Sequence, residues 1–151
     1  MKKFIATASF LAIVLSSLNG AHAGESKHMT VYKTPWCGCC KVWAQAMQTA
    51  GYKVVIRDLE DLEPTKRQAG VPESLKACHT AVMGKYVIEG HVPLQAIEKL
   101  YTERPDIRGI AVAGMPGGSL GMGYDPKARY DVMSFTHSKS EAPKLFYEAG
   151  K

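Results

Sequence analysis

The stretch TVYKT-PWCGCC-KVWAQAMQTA, residues 30–50, sets the fold. Thr30 to Thr34 is β-branched and aromatic, which predicts a strand, and Pro35 closes it. Lys41 to Ala50 is built of good helix formers. It places Val42, Ala46, Met47 and Ala50 on one face, with Gly51 as the stop. Three cysteines, Cys37, Cys39 and Cys40, fall at the turn between the two. The start of a helix offers unpaired N–H groups and the positive end of a dipole, and both favour thiolate over thiol.

Working outward, Lys53 to Leu59 reads as a second strand and Glu60 to Gly70 as a charged helix or turn. Thr80 to Met83 and Tyr86 to Glu89 read as a hairpin turning at Gly84-Lys85. Leu94 to Glu103 is an amphipathic helix opened by Pro93 and ended before Pro105. Ile110 to Ala113 is a further short strand. From Gly114 the chain is rich in Gly, Pro and Met and reads as loop, with Asp131 to Phe135 as a final strand and no signal after Thr136. The order strand, cysteine turn, helix, strand, helix, hairpin, helix predicts an α/β, thioredoxin-like fold, a central mixed sheet flanked by helices.

The N-terminus reads as an export signal. Lys2 and Lys3 precede an apolar run from Phe4 to Leu18, and Ala21-His22-Ala23 predicts cleavage before Gly24. The run is short for a membrane span and no second one follows, so no membrane attachment is expected after cleavage. Removing residues 1–23 leaves 128 of the 151 residues as one domain, and losing Lys2 and Lys3 lowers the formal charge from +5 to +3. So small an excess, without clustered basic runs, argues against a nucleic-acid partner. The expected location is periplasmic.

All four cysteines lie in the processed chain, and three of them are crowded into residues 37–40. A disulfide framework would spread them along the chain, so the crowding predicts a reactive or ligating site. Cys37 and Cys40 have the C-x-x-C spacing of a thiol–disulfide switch, and Cys39 is surplus to it. A plain redox pair with an incidental Cys39 is the simpler alternative, whereas a third thiolate suits Cu(I), zinc or an iron–sulfur cluster. Cys78-His79 directly precedes the hairpin, the place that faces the cysteine turn in a thioredoxin-like fold. A buried free cysteine beside a surface histidine is its alternative reading. Met115 and Met122 frame a glycine-rich loop and supply soft thioether ligands, or else fill a gap beneath it. His91 is a ligand candidate or a helix cap, and Trp36 a shield for the thiolates. Met47 and Met83 are assigned to the core, Trp43 to the core or a partly exposed position, and His28 and His137 to solvent. Zinc would leave the methionines unexplained. Iron–sulfur clusters want four cysteines at wider spacing. Copper accounts for Cys, His and Met together.

Cys37-Gly38-Cys39-Cys40, Cys78-His79-Thr80, Gly90-His91-Val92-Pro93 and the loop from Gly114 to Met122, in that order, resemble the CopG-like family of periplasmic copper proteins, over roughly Thr30 to Tyr130. The resemblance implies a thioredoxin-like fold, a C-x-C-C copper site able to hold several Cu(I) ions, and a copper-linked oxidoreductase in copper resistance. Leu120 stands where that family's loop is expected to carry proline, which predicts a less rigid loop. Cys37 and Cys40 are the expected catalytic pair. The metal ligands expected are Cys37, Cys39, Cys40, Cys78, His79, His91, Met115 and Met122. The partners expected are copper ions and a periplasmic efflux or redox protein. A copper chaperone or sponge without turnover, and a metal-free thiol–disulfide oxidoreductase, are the competing functions.

Overall fold

A computed structural model describes residues 27–151, so the signal segment expected over residues 1–23 and its expected cleavage site lie outside the described residues. Seven strands form one mixed sheet: β1 (His28–Lys33), β2 (Lys53–Asp58), β3 (His79–Met83), β4 (Tyr86–Glu89), β5 (Gly109–Ala111), β6 (Tyr130–Phe135) and β7 (Lys144–Ala149). Their spatial order is β2-β1-β3-β4-β5-β6-β7. Three helices accompany them: α1 (Gly38–Thr49), α2 (Glu63–Ala69) and α3 (Leu94–Glu103). β1 and β2 are parallel, and β3 is antiparallel to both β1 and β4. This is the expected α/β arrangement, compatible with a thioredoxin-like unit. β5 then adds parallel to β4, and β6 and β7 continue antiparallel.

β4 is buried along its whole length, so its alternating side chains feed two cores. Ile88 joins Trp43 and Met47 of α1 and Ile97 and Leu100 of α3 on one face. Val87 joins Ala69, Val71 and Leu75, from α2 and the chain after it, on the other. The centre of the sheet is therefore covered on both sides.

α1 starts three residues earlier than the helix pattern indicated. Cys37 is its N-cap, and its sulfur accepts from the Cys40 amide at 3.4 Å. The buried stripe is Cys40, Trp43, Ala44 and Met47, while Val42 is half exposed. The phase differs from the expected face because Trp43 is pulled inward, its Nε1–H donating to the Val92 carbonyl at 2.9 Å. Beyond Thr136, where no element was expected, Lys144–Ala149 forms β7 on β6. Its lysine and glutamate positions hid it from a hydrophobic pattern, as charge on an edge strand does.

At Gly109 there is no room for a side chain: an added Cβ would overlap the Val87 carbonyl and stand 2.8 Å from Phe135 Cζ. Gly109→Ala is expected to lower unfolding free energy by about 1–3 kcal/mol, read from urea denaturation.

Candidate metal centre

The strand register brings the site together at one end of the sheet. Lys33 pairs with His79, Thr80 with Glu89, and Glu89 with Ala111, so β1, β3, β4 and β5 stop in a row. The turns leaving that row carry Cys37 to Cys40, Cys78, His91 and the loop to Met122. Cys37 and Cys40 are joined as a disulfide, while Cys39 and Cys78 are free thiols. Cys39 Sγ lies 3.5 Å from Cys37 Sγ, and Cys40 Sγ lies 3.8 Å from the Cys78 carbonyl. Cys78 Sγ is 2.9 Å from His91 Nε2 and 3.5 Å from His79 Nδ1. Two donor sets result, Cys37/Cys39/Cys40/Cys78 and Cys40/Cys78/His79/His91, each with all its ligand atoms within 4.8 Å of one another. They share Cys40 and Cys78.

The imidazoles are prepared to ligate. His91 Nδ1 stands 2.7 Å from the Leu120 carbonyl. A carbonyl only accepts, so Nδ1 holds the proton and Nε2 presents a lone pair toward Cys78. Burial holds the His91 pKa below the usual imidazole range, partly offset by that carbonyl. Burial, then the nearby His91 and Lys66, hold His79 well below it. Both rings are neutral at pH 7, the form a metal takes. His79 stacks at 4.5 Å on Trp43 and meets His91 edge-on at 5.1 Å. Its Nε2 is buried without a hydrogen-bond partner, an orphan that costs about 1–3 kcal/mol unless something satisfies it. Burial, followed by the charge of Cys39, pushes the Cys78 thiol up to about 12. Cys78 therefore keeps its proton at neutral pH.

The glycine-rich loop reaches the site through its backbone. Gly121 has φ +92°, and a Cβ there would stand 2.7 Å from the Cys39 carbonyl and 3.0 Å from His91 Nδ1. Only glycine fits that approach. Around Leu120 the Gly118 N–H donates to the Met122 carbonyl at 2.9 Å and the Met122 N–H to the Ser119 carbonyl at 2.8 Å. Met122 is half-buried directly after Gly121, and Met115 lies 54 % exposed at the loop's start. Trp36 is 71 % exposed and does not shield the sulfurs. Trp43, expected in the core or partly exposed, is fully buried and is the tryptophan that packs on His79. Met47 and Met83 are buried as expected.

A family model described as "Protein of unknown function, DUF411" matches residues 75–122, the span that holds Cys78, His79, His91, Met115 and Met122. No curated protein sequence matches the chain. A solved structure named copper resistance protein copG, form 1, is 37 % identical with a TM-score of 0.73, covering 82 % of this chain and 98 % of that one. Its form 2 is 38 % identical with a TM-score of 0.72, covering 80 % and 96 %. The chain belongs to the CopG family of copper resistance proteins. For a CopG-family chain, four sulfurs and two neutral imidazoles in contact support a copper-related function, because soft thiolate and imidazole donors suit copper.

The residues that brace this CopG-family site were not legible as functional. Glu89, fully buried, accepts from Lys66 Nζ at 2.5 Å, from the Ala77 amide at 2.7 Å and from the Thr80 hydroxyl at 2.6 Å. Ala77 precedes Cys78 and Thr80 follows His79, so one carboxylate grips the chain on both sides of two candidate ligands. Gly90, next along, donates to the His79 carbonyl at 2.9 Å and leads into His91. Burial pushes the Glu89 carboxyl up, and Lys66, Thr80 and the Ala77 amide pull it part-way back. The one available signal was a glutamate at an inward position of an otherwise apolar strand, Tyr86-Val87-Ile88-Glu89.

Glu89→Ala strands the Lys66 ammonium in the interior and is expected to cost about 3–5 kcal/mol in urea unfolding, most of it recovered when Lys66→Met is added. A separate expectation concerns pH. His79 and His91 have folded pKa values below the ordinary 6.5, so the unfolded chain binds their protons more tightly. Their contribution to stability is present above pH 6.5 and is lost as pH falls below it toward the folded values. The metal-free protein should therefore show a lower urea midpoint at pH 5 than at pH 7, and an unchanged midpoint would contradict neutral buried imidazoles.

Proposed function

We propose that the chain is an exported, periplasmic copper protein of copper resistance. It holds Cu(I) on Cys37, Cys39, Cys40 and Cys78 with His79 and His91, with Met115 and Met122 at the margin, and couples that binding to a Cys37–Cys40 switch. The observation that carries this reading is that both sulfurs of the Cys37–Cys40 disulfide belong to one donor set, while Cys40 also belongs to the second, which shares Cys40 and Cys78 with it.

With the disulfide closed, Cys37 and Cys40 have no thiolate to offer, and Cys39, Cys78, His79 and His91 remain. Opening it takes two electrons and returns two thiolates, doubling the sulfur ligands. Metal affinity and disulfide state are then thermodynamically linked: a cation that binds only the dithiol form stabilises that form by RT ln(1 + [L]/Kd). Copper, when bound there, supplies a one-electron couple beside this two-electron dithiol couple. The fit rests on the donor chemistry and on His79, whose Nδ1 lies 3.5 Å from Cys78 Sγ while its Nε2 is buried without a hydrogen-bond partner. Cys78 contributes a proton that leaves on ligation, and His91 is held in the ligating tautomer by Leu120. Among the described residues no helix is long and apolar enough to cross a membrane. The export reading rests on the leader sequence and on a cysteine site that gains its switch in an oxidising compartment.

Anaerobic Cu(I) titration against a competing chelator, before and after mild oxidation, tests the reading. Two or more ions per reduced chain are expected, with fewer after oxidation, and Cys37→Ser should bind Cu(I) without any sensitivity to oxidant. One ion or none, unaffected by oxidation, would sink the switch and leave a copper carrier or a thiol enzyme.

A further inference from the structure

We propose that the cleft at the opposite end of the sheet is a second binding site, for a small organic oxyanion: a carboxylate or phosphate ester on an apolar body. β5 runs from Gly109, beside this cleft, to Ala111, in the row that ends at the copper site, so the two sites occupy different ends of the same strands. The cleft holds about 640 Å³, within the range of small-molecule sites. Its walls are the end of α2 with the chain that follows, and the segment from Thr136 to Pro143.

The apolar part is the floor. Phe135, Val71 and Ala69 line the cleft and belong to the smaller core, so a hydrophobic body finds a rigid surface there. The polar part is cationic. Arg67, Arg108 and Lys139 line the walls, and none of the three has a carboxylate partner among the described residues. The two carboxylates that line it are engaged by other lysines, Glu73 by Lys76 at 2.6 Å and Glu141 by Lys144 at 2.5 Å. Three of the carbonyls at the end of α2 are already hydrogen-bonded: Lys66 O accepts from Val71 N–H at 3.0 Å, Arg67 O from Gly70 N–H at 3.2 Å, and Ala69 O from Arg108 Nε at 2.8 Å.

Arg108 is the anchor. Its backbone is locked into the sheet, the amide donating to the Phe135 carbonyl at 2.9 Å and the carbonyl accepting from Val87 N–H at 3.0 Å. Its Nε donates to the Ala69 carbonyl, and the residue is partly buried. The remaining N–H groups have no protein acceptor among the described residues. A guanidinium held in one plane with donors to spare matches a bidentate oxyanion. Arg67 and Lys139 add charge at the rim.

The test is an NMR titration of the labelled protein with benzoate and with phenyl phosphate, using benzyl alcohol and inorganic phosphate as controls. At least one organic anion should give saturable shifts at Gly70, Val71, Gly109 and Phe135, with neither control saturating. Arg108→Gln should weaken that binding by about tenfold or more, the loss of one charge-assisted pair. Because Arg108 also ties down α2, Arg67→Gln, at an exposed position, serves as the second variant and should weaken binding while leaving the free spectrum unchanged. The proposal fails if neither anion saturates, if benzyl alcohol or inorganic phosphate binds equally well, or if either variant binds as the parent does.

Discussion

Glu89 sits at the last position of a strand that is buried on both faces, where water cannot solvate a carboxylate. Such a charge persists only if the protein answers it fully, and the answers come from three separate places in the chain. Lys66 arrives from α2 on one face, Thr80 from the neighbouring strand, and the Ala77 amide from the turn before it. The consequence is geometric. The helix, the hairpin and the entry to Cys78 cannot shift independently without exposing an unpaired buried charge. The candidate ligands Cys78, His79 and His91 inherit this rigidity, because each is within two residues of an atom in the network.

The cysteine turn obeys a different constraint. Cys37 is both the cap of α1 and half of a disulfide, so the start of the helix and the redox state of the site involve the same sulfur. Cys40 is buried on the helix's inner stripe, one turn ahead of Trp43, which packs on His79. Core packing and ligand placement are therefore the same event along α1. The loop ending at Met122 closes over this arrangement by backbone contact, with Leu120 fixing the His91 tautomer and Gly121 leaving space where any other residue would strike Cys39 or His91.

The two ends of the sheet differ in character. One end gathers sulfur and neutral imidazole, poor partners for water and good ones for a soft cation. The other gathers guanidinium and ammonium over an apolar floor, a setting for an oxyanion. The same strands separate them, and the small core beneath α2, built on Val87, Ala111 and Phe135, lies between.

The sequence by itself determined the elements whose periodicity or punctuation is local: the strand and helix around the cysteine turn, the hairpin over residues 80–89, the helix from Leu94 to Glu103, and the soft donors that mark a copper-family chain. Residue type was enough there, because thiolate, imidazole and turn chemistry are properties of single residues and short spacings. Tertiary structure decided what depends on distance. It set the phase of α1 through a hydrogen bond from Trp43 to Val92, 49 positions on. It made a charged tail into the edge strand β7, paired with β6 by backbone groups that no side-chain pattern reports. It gave Trp43 rather than Trp36 the place beside the site, and it turned Lys66, unremarkable in sequence, and Glu89, marked there only as a glutamate in an apolar strand, into the support of Cys78. Burial is what separates the two kinds of knowledge: a charge costs little or much according to whether water reaches it, and only the folded chain fixes where water is excluded.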